Sequence, residues 1–352
     1  MIVVIPTNRE VKMPYLQPLI DSGARFIVID DTEGSIRIDH PQFEVFNWAD
    51  RRRLLGDLDV AIPRANGASR SLGFYLAWHR AEQDEIIVAL DDDCEVYHAD
   101  FAQRVQRALA SMARPQARAE GRHLNIVDLY AGPPRNLFPR GFPYSERGAY
   151  RPCEIREQVM REPKFCLGLW KQIFDVNAID KIKGPAFCHP DIELQYPSVV
   201  ISPGNLVSVC SMNMQFRLEV APAAYQLPMH VEVMPGWVID RYGDIWGGFI
   251  LKALMDLKGD AMVVGEPMIR HVKEGNVQRN TWQEHICHMV NDEFLGILAA
   301  AVTRIRPASY LEMMAALNDE FRRATSGCSA LLKPYFEHLT VALAAWTKAL
   351  AK

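Results

Sequence analysis

Over the first third of the chain, short runs of consecutive apolar residues alternate with stretches whose apolar positions recur at helical spacing. Residues 2–5, 25–30 and 85–90 are dense in Ile and Val and predict buried strands, whereas 14–22, 71–81 and 100–112 predict helices. This alternation predicts an α/β fold, a mostly parallel sheet with helices on both faces. Residues 113–123 are polar, contain Pro115 and Gly121, and predict an exposed connection. Residues 132–152, rich in Gly, Pro, Arg and Tyr, predict a long functional loop. A helix follows over 243–257, then a strand over 261–265. From Thr281 the pattern is almost wholly helical, with breaks near Pro307 and Gly327. The chain therefore divides into a region 1–280 and a helical C-terminal region 281–352. Leu311, Met314, Leu317, Leu331, Leu339, Leu343 and Trp346 recur at helical spacing there, for core packing or for a homo-oligomer interface.

Composition narrows the class. Of the 352 residues, 49% are hydrophobic and 23% charged, the balance of a soluble globular protein. A formal net charge of −4 gives no general attraction to nucleic acid or acidic membranes, so an anionic ligand needs local basic residues or a metal. The apolar run at 294–302 is too short for a membrane span. The first residues lack a basic start and a small-residue cleavage site, and they read as a strand. Seven cysteines with no C-x-x-C pair fit free thiols in a reducing cytosol.

Ligands of such sheets bind beyond the carboxyl ends of the strands. Asp30-Asp31 and Asp91-Asp92-Asp93 both fall at such ends. In an extended backbone Asp91 and Asp93 point the same way and suit a hard divalent cation, Mn²⁺ or Mg²⁺, which would neutralise a diphosphate. A solvated acidic turn is the plainer alternative. His271, after an apolar run, is a candidate third ligand, and Lys273 beside it a candidate phosphate contact. His285, Cys287 and His288 have no partner pair at zinc-site spacing and read as ordinary helix residues.

These segments resemble the reversibly glycosylated polypeptides, the UDP-arabinopyranose mutase family, with its glycosyltransferase A-type, Rossmann-like fold. The likeness runs from Ile5-Pro6-Thr7 to about Glu284. It passes through Arg70 with Gly73-Phe74-Tyr75, Asp91-Asp92-Asp93-Cys94 and Gly168-Leu169-Trp170. Cys210-Ser211-Met212-Asn213, Arg241-Tyr242-Gly243-Asp244 and Trp282-Gln283-Glu284 follow. Its most specific piece is Arg140-Gly141-Phe142-Pro143-Tyr144-Ser145-Glu146-Arg147. The resemblance implies that Asp91 and Asp93 hold a metal, that Thr7 and Asp30 face the nucleoside, and that Arg70 meets the diphosphate or ribose. It implies that Arg140 is the reversibly glycosylated arginine and Arg147 its companion. Where the family carries an acidic pair, this chain has Gly243-Asp244.

A guanidinium is a poor nucleophile while protonated, so Arg140 needs a carboxylate, Asp244 first and Asp92 second. Trp170 is a stacking platform or a core residue, and Asn213 a sugar contact or a tie within a turn. The implied enzyme is a metal-dependent UDP-sugar mutase with a nucleotide-sugar substrate. No G-x-G-x-x-G fingerprint is present for a flavin route. The alternatives are a glycosyltransferase with a separate acceptor, and a partner subunit without turnover.

Overall fold

The computed structural model describes all residues except 133–135, 183–186 and 273–274. In chain order the strands are β1 (Ile2–Thr7), β2 (Arg25–Asp30), β3 (Phe43–Phe46), β4 (Ile86–Leu90), β5 (Cys94–Glu95), β6 (Met112–Arg118) and β7 (Glu154–Arg161), then β8 (Pro163–Ile173), β9 (Cys188–His189), β10 (Ser198–Ile201), β11 (Asn213–Arg217), β12 (Val231–Met234), β13 (Trp237–Ile239) and β14 (Ala261–His271). The α-helices are α1 (Gln17–Asp21), α2 (Trp48–Leu55), α3 (Arg70–Arg80), α4 (Phe101–Ala108), α5 (Tyr144–Arg147) and α6 (Ala178–Lys181), then α7 (Gly243–Lys258), α8 (Val277–Val302), α9 (Tyr310–Ala324) and α10 (Lys333–Leu350).

The large sheet runs β3-β2-β1-β4-β11-β8-β14-β10-β6-β7. β1 is parallel to β2 and to β4, and β2 to β3. Every residue of β4 is buried, as expected of a strand covered on both faces. β11 is antiparallel to both β4 and β8, so β4 and β8 share one direction, and β14 runs parallel to β8. The carboxyl ends of β1, β2, β4, β8 and β14 therefore lie along one edge of the sheet. The start of β11 lies there too, because Asn213 pairs with Leu90. Topology alone brings Thr7, Asp30, the 91–93 triplet, Cys210 and His271 to that edge.

Two local expectations change. The helix predicted over 100–112 stops at Ala108, and the polar stretch after it is the strand β6, between β10 and β7. Its burial shows why: Arg114 and Ala117 are buried, Pro115 and Gln116 between them half-buried and the rest exposed, so a polar strand without alternation near a sheet margin looks like a loop in sequence. The strand after α7 continues past 265 to His271.

α3 lies so close to β1 that a Cβ on Gly73 would come within 2.2 Å of Val4 Cγ1. α7 ends on Gly259 at φ 83, the left-handed stop glycine adopts without strain. α9 opens with a reciprocal capping box between Ser309 and Glu312. Buried residues form one continuous apolar cluster from Ile2 to Leu350. α10 is locked into it by Trp346, fully buried, stacked on Tyr225 at 4.8 Å and donating to the Pro222 carbonyl at 2.9 Å. No described helix is long and apolar enough to cross a membrane.

Trp346→Ala is expected to destabilise the protein by about 3–5 kcal/mol through the cavity left in this cluster. A urea midpoint shift worth less than about 1 kcal/mol would contradict α10 as an integral wall of the core.

Candidate active site

Two adjoining chambers open along the carboxyl edge of the sheet, one of about 560 Å³ and one of about 450 Å³. Pro6, Ala65, Asn66, Gly67 and Arg279 line both. The larger is bounded by Arg70, Asp91, Arg140, Ser211, Arg241 and Asp244, among others. The smaller is bounded by Thr7, Asn8, Arg9, Asp31 and Asp92.

Arg140 dominates the larger chamber. It is 6% exposed, and its guanidinium is shared between two carboxylates. Nε donates to both oxygens of Asp175 at 3.0 Å. Nη1 and Nη2 donate to Asp244 at 3.0 and 2.6 Å. Nη1 also meets the Arg241 carbonyl, and Nη2 points its other hydrogen at Cys210 Sγ, 3.9 Å away. Burial works against the charge on Arg140, but Asp175 and Asp244 outweigh it and raise its pKa well above the ordinary value. Burial likewise pushes the Asp175 carboxyl up, yet the Arg140 charge and hydrogen bonds bring it down to about 2. Asp175, Cys210 and Asp244 have the spacing of a metal group, their ligand atoms lying within 4.8 Å of one another. The guanidinium bonds to all three and takes the cation's position.

Asp244 stands in the first turn of α7, where Ile245 N donates to it at 3.0 Å. Gly243 before it admits nothing larger, since a Cβ there would lie 2.4 Å from the Leu227 carbonyl oxygen. The departure from the family's acidic pair at Gly243-Asp244 thus goes with a close backbone contact here, and the second carboxylate on Arg140 is Asp175, beyond the end of β8. No sequence motif marked Asp175.

The triplet is not extended. β4 ends at Leu90, and Cys94 N donates to the Asp91 carbonyl at 3.2 Å, closing a turn. Alternation therefore fails as the reason for pairing Asp91 with Asp93. Asp91 turns to Arg70, whose Nη1 donates to the Leu90 carbonyl at 3.2 Å. Asp92 accepts from the Thr7 hydroxyl at 2.6 Å and shares Arg9 with Asp93, which lies 2.9 Å from Arg9 Nη2. Burial raises the Asp91 pKa; Arg70 opposes this, and the charges of Asp93 and Asp92 add to it.

His271 fits a divalent cation in one respect. A carbonyl only accepts, so the 2.9 Å contact of Nδ1 with the Ile173 oxygen fixes the proton on Nδ1. In the neutral ring Nε2 then carries the lone pair, 3.9 Å from Asp93 Oδ1, too far for a hydrogen bond and close enough for two ligands of one ion. Asp91 uses Oδ1 for Arg70, leaving Oδ2 without a hydrogen bond among the described residues.

Other expected contacts lie elsewhere. Asp30, fully buried, accepts from Thr32 N and Ile36 N at 3.0 Å and so shapes its own loop. Its neighbour Asp31 faces the smaller chamber, held by Trp48 Nε1 at 2.7 Å and by Ala65 and Asn66 amides at 3.0 Å. Arg147 pairs with Asp180 at 2.8 Å and lies over the Tyr144 ring, away from both chambers. Trp170 is core, 2% exposed, its backbone bonded both ways to the Tyr130 hydroxyl. Asn213 is fully buried and ties the Leu169 and Pro267 carbonyls at 3.2 and 2.8 Å. Lys273 lies outside the described residues. Asp31 stands in the acidic pair that ends β2, whereas Arg9 and Arg279 carry no motif in the sequence; Asn276, the side-chain cap of α8, marks where that helix begins.

An open α/β sheet whose cleft lies at the strands' carboxyl edge, crossed by an acidic turn, defines a glycosyltransferase A-like protein. The chain matches the reversibly glycosylated polypeptide family over residues 2–352 and belongs to it. It is 26% identical over 356 residues to probable UDP-arabinopyranose mutase 4 of Arabidopsis thaliana, covering 99% of this chain and 89% of that one. UDP-arabinopyranose mutase 2 of the same plant is 26% identical over 367 residues, covering 99% and 90%. UDP-arabinopyranose mutase 1 of Oryza sativa subsp. japonica is 23% identical over 368 residues, covering 99% and 89%.

Asp175→Asn leaves Arg140 undercompensated and is expected to cost about 3–5 kcal/mol at neutral pH. The depressed Asp175 pKa stabilises the fold above the unfolded value near about 3.9, and that contribution is lost as pH falls toward about 2. Denaturant titrations should show the gap between parent and variant narrowing across this window; a gap that is constant with pH would contradict the ion pair.

Proposed function

We propose that the chain is a divalent-metal-dependent mutase that interconverts the pyranose and furanose forms of a UDP-sugar, UDP-arabinose or a close relative, by way of a sugar carried on Arg140. The observation that carries this is the buried Arg140 lining the larger chamber with Asp244 2.6 Å from its Nη2. The names of the relatives support the sugar nucleotide and the change of ring. Asp91, Asp93 and His271 would hold the cation, which would neutralise the diphosphate as a leaving group.

Because two carboxylates keep the guanidinium charged, its proton leaves only as the new bond forms. The bond from the anomeric carbon to the diphosphate oxygen breaks, and its electrons depart with UDP. Arg140 Nη2 bonds to the carbon and gives its proton to Asp244, leaving a glycosyl guanidinium that carries the positive charge. Asp244 then hands its proton to the ring oxygen as the ring C–O bond breaks and takes the remaining Nη2 proton, leaving a C=N bond to the open chain; another hydroxyl adds to that carbon and passes its proton to Asp244 as Asp244 returns one to Nη2. Return of UDP to the anomeric carbon breaks the C–N bond, and Asp244 restores the proton to Nη2.

One observation favours a second reading. All five N–H bonds of Arg140 point at acceptors, as suits a fixed cation facing a departing diphosphate in a glycosyltransferase.

Intact mass after incubation with Mn²⁺ and UDP-sugars, with analysis of the nucleotide pool, separates the two. Expected are a gain of one sugar residue, its loss in Arg140→Ala, an isomerised UDP-sugar, and about 10²–10⁴-fold slower turnover in Asp244→Asn. Full mutase turnover in Arg140→Ala would overturn the arginine route; sugar transfer to an added acceptor without adduct or isomer would establish the transferase.

A further inference from the structure

Five arginines line the two chambers, and four of them are already matched with carboxylates. Arg9 holds Asp92 and Asp93, Arg70 holds Asp91, Arg140 holds Asp175 and Asp244, and Arg241 holds Glu284 at 3.1 Å. The fifth, Arg279, makes no side-chain hydrogen bond or ion pair among the described residues. It projects from the first turn of α8, where Asn276 accepts from its backbone N–H at 2.8 Å and fixes the turn.

Position adds to this. Arg279 is the only charged residue among the five that line both chambers. A nucleotide sugar consists of a nucleoside and a sugar joined through a diphosphate. With its sugar at Arg140 in the larger chamber and its nucleoside in the smaller, the diphosphate must cross the shared seam. The acidic turn faces the same region, with Asp91 in one chamber and Asp92 in the other. Among the described residues its three carboxylates meet two arginines, Arg9 and Arg70, so the turn with these partners offers no surplus positive charge to a dianion.

We propose that Arg279 grips the ligand's diphosphate from the helical side of the cleft. Its guanidinium has two edges suited to paired phosphate oxygens, and no partner among the described residues has to be displaced. The proposal rests on the nucleotide-sugar reading above and adds to it a binding residue contributed by α8. The helix thereby supplies part of the site as well as part of the core.

The test is calorimetric titration of the full chain in Mn²⁺ with UDP and, separately, with uridine. Arg279 is exposed and has no side-chain partner among the described residues, so Arg279→Gln should keep the parent's thermal midpoint. The variant is expected to bind UDP about 10–100-fold more weakly, as for loss of hydrogen bonds to a charged group, with uridine affinity unchanged. Arg279→Lys should recover part of the loss, since it keeps the charge without the fork. UDP affinity equal to the parent's in Arg279→Gln would overturn the proposal and leave the nucleotide reading standing. Equal weakening of UDP and uridine would overturn it as well, because the effect would not belong to phosphate. Failure of the parent to bind UDP would overturn the nucleotide reading, and this proposal with it.

Discussion

A guanidinium taken out of water is tolerated only where opposite charge and hydrogen bonds replace its hydration. Arg140 meets that condition through groups from two separated parts of the chain: Asp175 beyond β8, and the Arg241 carbonyl with Asp244 where α7 begins. Each partner depends on backbone geometry rather than on side-chain reach. Arg241 sits at φ 63, which turns the chain just ahead of α7. Gly243 lets α7 begin against the Leu227 carbonyl, a contact any Cβ would forbid. The registration of α7, the end of β8 and the loop around Arg140 are thus mutually dependent, and the larger chamber takes its shape from that agreement.

The acidic turn follows the same physics with different partners. Three adjacent carboxylates at a strand end repel one another, and here they are divided by direction. Arg70, buried at the start of α3, takes one; Arg9, just beyond β1, bridges the other two. Helix and strand ends that close the sheet's edge therefore also neutralise it. The candidate cation ligands, Asp93 Oδ1 and His271 Nε2, lie 3.9 Å apart.

Much of this could be read in the sequence because it depends on strand ends. The Ile- and Val-rich runs placed β1, β2 and β4, and with them Thr7 and the triplet. The motif around Arg140 singled out the arginine, and Asp244 emerged as its partner because charge demanded one. What escaped was set by distance in three dimensions. Asp175 has no motif and meets Arg140 only because β8 shares the direction of β4, which follows from the intervening antiparallel β11. Asp30 looked like a ligand residue because it ends a strand, yet its loop turns back and fills its carboxylate with amides. Trp170 and Asn213 sit within matched segments, and burial gives both a packing reason to be there. Strand β6 escaped for another reason: near a sheet margin the apolar alternation that betrays a strand is weak.

Transfer to a separate acceptor and rearrangement of a retained sugar place opposite demands on the loop around Arg140. An acceptor must reach the anomeric carbon, which calls for a loop able to stand aside. The described residues of 132–152 are tied at several points. The Leu137 carbonyl accepts from Asn125 at 2.9 Å, Gly141 N donates to Asn177 at 3.0 Å, and Arg147 is paired with Asp180. Phe138, Phe142 and Tyr150 pack edge to face or tilted against one another beneath it. Opening that loop would expose this aromatic cluster and separate Arg140 from both of its carboxylates. A rearrangement that keeps its leaving group and needs no third molecule demands neither, and the way this loop is held favours it.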